Sequence, residues 1–211
     1  QRKNCRTTKM TSSDLERSID RLLKSSNIVT DKRLIAELIH TSLQLGSEST
    51  NTLNLKIASA ALTEMSEAFS MFAPYANKKK VTIFGSARTT KDDPVYKQTE
   101  AVAKKLADNG WMVVTGAGPG IMEAGMSGAG REMSIGVSIR LPFETSANSI
   151  IAGDEKYVSM RYFFTRKLML VKESQAFICM PGGFGTLDEM FELLTLSQTG
   201  KGNPVPIVVL D

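Results

Sequence analysis

From Val81 onward the chain is built of short apolar runs separated by helical patterns, and three of the runs lead into glycine-rich turns. The runs are Val81–Phe84, Met112–Thr115, Ile135–Ile139, Ala176–Met180 and Ile207–Leu210. Strands that are apolar along their whole length are buried on both faces, and alternation with helices gives a parallel sheet with helices on either side. The pattern therefore predicts a Rossmann-like, doubly wound α/β domain over residues 78–211. In such sheets ligands bind beyond the carboxyl ends of the strands. Three of these ends carry small residues, Gly85-Ser86-Ala87, Gly116–Gly120 and Gly182–Thr186, and they are expected to converge on one crevice. A doubly wound domain normally adds a covering helix after its last strand, so the reading expects the C-terminus at Asp211 to be cut short.

Residues 11–73 read differently. Ser13-Asp14 can cap a helix through Lys24, and Thr30-Asp31 can start another that ends near Gly46. A third stretch carries Ile57, Ala61, Met65, Ala68 and Phe72 at helical spacing. Residues 1–77 thus form a basic tail and a helical extension. This block holds no cluster of chemistry and is expected to serve packing or oligomer formation.

Bulk composition removes several functions. Of 26 Lys and Arg against 22 Asp and Glu, four cations (Arg2, Lys3, Arg6 and Lys9) fall in the first ten residues with no acid among them. The rest of the chain is balanced, so no basic stripe for nucleic acid is expected. No apolar run approaches the ~18 residues of a membrane span. Cys5 and Cys179 are the only cysteines, which fits a reducing, cytoplasmic setting without a disulfide. The tail admits two readings: the remnant of a transit peptide, or a segment ahead of a translation start at Met10. His40 is the sole histidine, which nearly excludes a histidine base or a histidine-rich metal site.

The glycine loops separate into a weak and a strong signal. Gly116-Ala117-Gly118-Pro119-Gly120 approaches a dinucleotide fingerprint but its last glycine comes one residue early, and no loop has the Lys-Ser/Thr of a P-loop. Hydride transfer and nucleoside triphosphate hydrolysis both lack their signatures. Pro181–Glu189, PGGFGTLDE, follows a strand and opens a helix read as Leu187–Ser197, with Leu187, Met190, Phe191 and Leu194 as its apolar face. Backbone N–H groups of such a loop can hold a phosphate. Glu189 reads in two ways, as a functional carboxylate or as the return arm of a capping box from Thr186. Across Tyr157–Ser174, read as one helix, Arg166 falls on an apolar stripe between Tyr162 and Leu170. A guanidinium there needs an anion, either in an internal salt bridge, with Glu189 a candidate, or in a bound phosphorylated sugar. Lys167 points elsewhere and approaches a phosphate only peripherally.

The segment YFFTRKLMLVKESQAFICMPGGFGTLDEMFELLTLSQTGK resembles the core of the Lonely Guy family of phosphoribohydrolases, whose signature is an Arg-Lys pair followed by PGGxGTxxE. The resemblance extends through FGSAR at Phe84–Arg88, TGAGPGIMEAG at Thr115–Gly125 and LPFE at Leu141–Glu144. It implies hydrolysis of the N-glycosidic bond of a nucleoside 5′-monophosphate, a cytokinin riboside monophosphate or an AMP-like nucleotide, to a free base and ribose 5-phosphate. By position it implies Arg166 and Glu189 as the catalytic pair. Gly85, Ser86, Gly118, Lys167, Gly182, Gly183, Gly185, Thr186, Asp188 and Thr195 become the substrate- and phosphate-binding set. It further implies a homodimer or larger homo-oligomer, with a nucleotide as the small-molecule partner and neither nucleic acid nor membrane. No metal or cofactor is required. The family's usual methionine three residues before the Arg-Lys pair is Phe163 here, so the resemblance carries no base preference. Relatives have also been labelled lysine decarboxylases, a label without support here, since no lysine sits in a recognisable Schiff-base setting. A non-catalytic nucleotide sensor or cofactor carrier on the same fold is the alternative. Retention of both Arg166 and Glu189 favours the enzyme, because a binder needs the glycines but not that pair.

Overall fold

The computed structural model describes residues 12–48, 51–141 and 147–211. The basic tail with Cys5, and Pro142–Glu144 of the LPFE segment, lie outside the described residues. Packing divides the chain into two compact units with the boundary between Ala58 and Ser59. In the first, α1 (Ser12–Ser25) and α2 (Lys32–Glu48) pack on one another, with Ile19 and Leu23 of α1 buried. The boundary falls inside α3 (Thr52–Phe72), whose buried positions Ala61, Glu64, Ala68 and Phe72 all belong to the second unit. Ala61, Ala68 and Phe72 follow the predicted stripe. Glu64 is one residue off it and still buried.

The second unit is a six-stranded parallel sheet with the order β4-β3-β2-β1-β5-β6. The strands are β1 (Lys80–Phe84), β2 (Met112–Thr115), β3 (Ser134–Ile139), β4 (Tyr157–Met160), β5 (Ala176–Cys179) and β6 (Ile207–Val209). Five of them are the apolar runs, and the Rossmann-like α/β class expected from those runs is the observed one. β4 is a correction: Tyr157–Met160, read as the beginning of a helix, pairs in parallel with Gly136–Ile139. At a sheet edge it buries only alternate residues, Val158 and Met160, and four residues of alternation are too few to stand apart from the helical pattern that follows.

Side chains alternate between two cores, as strand geometry requires. Val81, Ile83, Val113 and Ile178 pack against Ala103 of α4 (Pro94–Asp108) and Ile121 of α5 (Ile121–Ala129). On the opposite face Phe84, Val114, Val137 and Phe177 meet Ala68 and Phe72 of α3. There they also pack on Met169 and Leu170 of α6 (Phe163–Lys172) and Leu193 of α7 (Phe184–Gln198). Each fully buried aliphatic or aromatic side chain contributes roughly 1.5–3 kcal/mol. Pro94 and the Asp93 carboxylate, which accepts the Val95 N–H at 2.8 Å, start α4 where the sheet needs its first covering helix. No helix among the described residues is long and apolar enough to cross a membrane.

Candidate active site

The chain builds outward from β1 through β2 and β3 to β4, then returns to the other side of β1 as β5. The loops after β1 and β5 therefore diverge, one toward α4 and one toward α7, and open a crevice at the carboxyl ends of the two central strands. Backbone hydrogen bonds tie the three glycine loops together around it. The Ser86 N–H donates to the Pro181 carbonyl at 3.1 Å, and the Ile121 N–H donates to the Ser86 carbonyl at 2.9 Å. That second bond depends on Gly120, whose φ is +67° and whose Cα lies so close to the Ser86 carbonyl that a methyl group would sit 2.3 Å from its oxygen.

The crevice has two adjoining parts. One, of about 610 Å³, is lined by Gly85, Ser86, Arg88, Gly183–Leu187 and Glu189; the other, of about 390 Å³, by Gly116–Gly118, Ser138, Tyr157 and Ser159. Ala87, Met122 and Arg166 line both. Together they fall in the size range of small-ligand sites. The first part ends on the start of α7. That helix begins at Phe184, with Gly183 as N-cap and no side chain capping it. The predicted start at Leu187 is thus three residues late, and the capping box is corrected with it: Thr186 is inside the first turn and cannot be the N-cap. The N–H groups of that first turn face the crevice with the positive end of the helix dipole behind them, an arrangement suited to an anion.

Arg166 and Glu189 form an ion pair, Nη1 to Oε1 at 3.1 Å, with the side chains only 10% and 12% exposed. Arg166 Nε also donates to the Val137 carbonyl, two residues before the end of β3, 3.0 Å away. The guanidinium passes directly under the β2 loop. A methyl group on Gly116 would lie 2.1 Å from Nη2, so only glycine leaves room for it. Burial pushes the Glu189 carboxyl above the ordinary glutamate range, and the Arg166 charge pulls back without reversing the shift. The result is a carboxylate held in place by a guanidinium, at the wall of a cleft, and readier than usual to take up a proton.

The other positions spread around this pair. Gly85, Ser86, Gly183, Gly185 and Thr186 line the larger part of the crevice and Gly118 the smaller. Gly182 packs directly beneath the Thr186 hydroxyl. Lys167 is turned along α7, 3.1 Å from the exposed carboxylate of Asp188 and 2.6 Å from Glu192. The Glu192 approach is an ion contact without hydrogen-bond alignment at that oxygen. Glu192 and then Asp188 hold the Lys167 ammonium above the usual lysine range. Thr195 is exposed six residues beyond Glu189 and donates to its own helix at the Phe191 carbonyl, 2.7 Å away.

Sequence reasoning passed over Arg88, Met122, Ser138, Tyr157 and Ser159. Arg88 had a usable signal, the glycine turn of FGSAR directly before it. Tyr157 and Ser159 had none once their strand was read as helix. Of the expected apolar face of α7, Met190 packs against the core, whereas Leu187, Phe191 and Leu194 are exposed; Thr186 and Leu193 are buried and Glu189 points inward. Likewise α6 buries Thr165, Arg166, Met169 and Leu170 and leaves Phe163 and Phe164 outside.

Comparison with known proteins agrees with these motifs. Residues 117–211 match the family model described as "Possible lysine decarboxylase". Over 115 residues the chain is 32% identical to "Probable cytokinin riboside 5'-monophosphate phosphoribohydrolase LOG6" of Arabidopsis thaliana, covering 52% of this chain and 56% of that protein. Over 131 residues it is 28% identical to "Cytokinin riboside 5'-monophosphate phosphoribohydrolase LOG1" of the same plant, covering 58% of each. The X-ray structure of TM1055 superposes with a TM-score of 0.46 at 24% identity, over 61% of this chain and 72% of that one. The match spans little more than half the length of either curated relative.

Proposed function

We propose that this chain, similar in its parallel-sheet part to the Lonely Guy phosphoribohydrolases, hydrolyses the N-glycosidic bond of nucleoside 5′-monophosphates. The observation that carries the reading is the nearly buried Arg166–Glu189 pair at the wall of a glycine-lined crevice. The phosphate sits on the backbone N–H groups at the start of α7, between Gly183–Thr186 and Gly85-Ser86. Lys167, Asp188 and Thr195 join as outer contacts by the family resemblance. The ribose then lies against Glu189, and the rest of the nucleotide occupies the part beside Ser138 and Tyr157.

Cleavage breaks the C1′–N bond, with its electron pair leaving on the base and positive charge growing on the sugar. Glu189 stabilises that charge and receives a proton from the water whose oxygen joins C1′; a proton is then returned through solvent to the departing base, which leaves neutral, and Glu189 is again ionised. Its raised proton affinity suits it to this task. Arg166, tied to the Val137 carbonyl of β3, fixes the carboxylate of α7. The products are ribose 5-phosphate and a free base, and the AMP-like and cytokinin substrates differ only at the base.

The test is a panel of nucleoside 5′-monophosphates and the matching nucleosides, with released base measured by chromatography. Turnover of AMP or a cytokinin riboside monophosphate is expected, with at least about a hundredfold preference over the nucleoside, since the phosphate interactions are lost. Equal turnover of adenosine and AMP, or nucleotide binding with no release of base, sinks the assignment. The chain is further proposed to act as a homodimer. Exposed apolar side chains on α6 and α7 (Phe163, Phe164, Phe191 and Leu194) support this, as does the family resemblance.

A further inference from the structure

α6 is ten residues long and carries Arg166 at its fourth position, so the way the helix begins decides where the guanidinium lies. Its N-cap residue, Tyr162, makes no side-chain cap of its own. The first N–H groups of a helix have no partner within it and need an acceptor from elsewhere. Here α3 supplies an acceptor for the N-cap N–H and for the N–H of the residue before it. Glu64 Oε1 accepts the Arg161 N–H at 2.7 Å, and its Oε2 accepts the Tyr162 N–H at 3.4 Å and the Thr165 hydroxyl at 2.9 Å. Glu64 is 5% exposed and has no cation within ion-pair distance among the described residues. A buried carboxylate is costly unless hydrogen bonds and a favourable field hold it, and the start of a helix supplies both.

This contact is one residue from the catalytic machinery. Thr165 is bound on one side by Glu64 and lies 2.8 Å from the Tyr162 carbonyl on the other, and that carbonyl also accepts the Arg166 N–H at 3.2 Å. Arg166 in turn must reach the Val137 carbonyl and Glu189 together, in the space that Gly116 leaves by having no side chain. We propose that Glu64 is a positioning residue: from the helix ahead of the sheet it fixes the first turn of α6 and, through it, the Arg166–Glu189 pair. The proposal rests on the hydrolase reading for its kinetic consequence but not for its structural one.

The experiment compares Glu64→Ala and Glu64→Gln in the full chain, with Val113→Ala as a control that removes core methyl groups on the α4–α5 side of the sheet. Each is measured for base release from AMP, thermal unfolding, and amide hydrogen exchange of the segment 163–168. Glu64→Ala is expected to lower kcat about tenfold or more with KM within about threefold, because the backbone cradle for the phosphate lies at the start of α7 and after β1, and Lys167 of α6 is only an outer contact. Exchange should speed up at the start of α6. Glu64→Gln keeps one acceptor, for the Arg161 N–H, and is expected to fall between Ala and wild type in both readings. Should the Ala variant fail to fold, the Gln variant carries the test alone, with a kcat loss of about threefold or more and faster exchange at the start of α6 expected. Val113→Ala is expected to lower the melting temperature and leave kcat near wild type. Wild-type kcat in a folded Glu64 variant, unchanged exchange in α6, or an equal kcat loss in Val113→Ala would overturn the proposal. A wild-type protein that cleaves no nucleoside monophosphate overturns the hydrolase reading instead, and the exchange data still decide the role of Glu64.

Discussion

Glu189→Gln isolates the charge of one side chain while keeping its length. The amide oxygen can still accept from Arg166 Nη1, and Arg166 keeps its bond to the Val137 carbonyl. Stranding one member of a buried ion pair costs about 3–5 kcal/mol. Here the penalty should be smaller, about 1–2 kcal/mol, because burial already disfavours the ionised carboxylate and the guanidinium retains two acceptors. Turnover should respond far more, with a loss on the order of 10²-fold, since the developing sugar cation loses its counter-charge and the water its proton acceptor. Helix capping offers no rival explanation, as α7 starts five residues before Glu189. The assay is release of base from saturating AMP, beside urea melts and nucleotide binding. A pH series adds the sign. The folded-state pKa of Glu189 is raised, so kcat in the wild type should climb with pH along a limb lying above the ordinary glutamate range. For stability the same shift acts in reverse: Glu189's contribution is complete below its unfolded pKa and is lost as pH rises through the folded one. The Gln variant should therefore show no acidic limb, and its stability deficit should shrink toward neutral pH. Wild-type turnover in Glu189→Gln would refute the reasoning, whatever the fold.

Two other outcomes follow from the same geometry. Gly116→Ala places a methyl group where Arg166 Nη2 lies, so the variant should fold yet lose at least about tenfold in kcat; base release and circular dichroism read the two effects. Light scattering at micromolar concentration should give twice the chain mass, and Phe191→Glu on the exposed apolar face of α7 should shift the protein toward monomer.

Much of this architecture was legible because the apolar runs are continuous. β1, β2, β3 and β5 are buried on both faces, and that signal survives in one sequence; β6 shows the same apolar continuity although Val208 and Val209 are exposed at the sheet edge. β4 was lost because an edge strand of four residues buries only Val158 and Met160. The Arg166–Glu189 salt bridge was readable from the cost of a guanidinium on an apolar stripe, with Glu189 already named as a candidate partner. What it touches besides Glu189, the Val137 carbonyl and Gly116, depends on how far apart β2 and β3 end, and spacing in the chain does not encode that distance. The inside of α7 was misread for a physical reason. Hydrophobic periodicity assumes that the apolar stripe faces the core, but this helix turns Glu189 inward and leaves Leu187, Phe191 and Leu194 outside. Glu64 was invisible for a similar reason, as a single acid one position off an apolar stripe looks like a surface residue.

The cradle after β1 and β5 is made largely of main chain, from Gly85-Ser86 across to Gly183–Thr186. Peptide groups are common to every residue, so most substitutions that spare the backbone path leave that grip untouched. The adjoining recess adds polar side chains, Ser138, Tyr157 and Ser159 among them, to the backbone of Gly116–Gly118. The two halves of the crevice are thus free to diverge at different rates. The half made largely of main chain is locked by geometry, while the half that carries polar side chains is open to change by single substitutions. On the proposed hydrolase reading, base preference can change at the recess while the phosphate grip stays as it is.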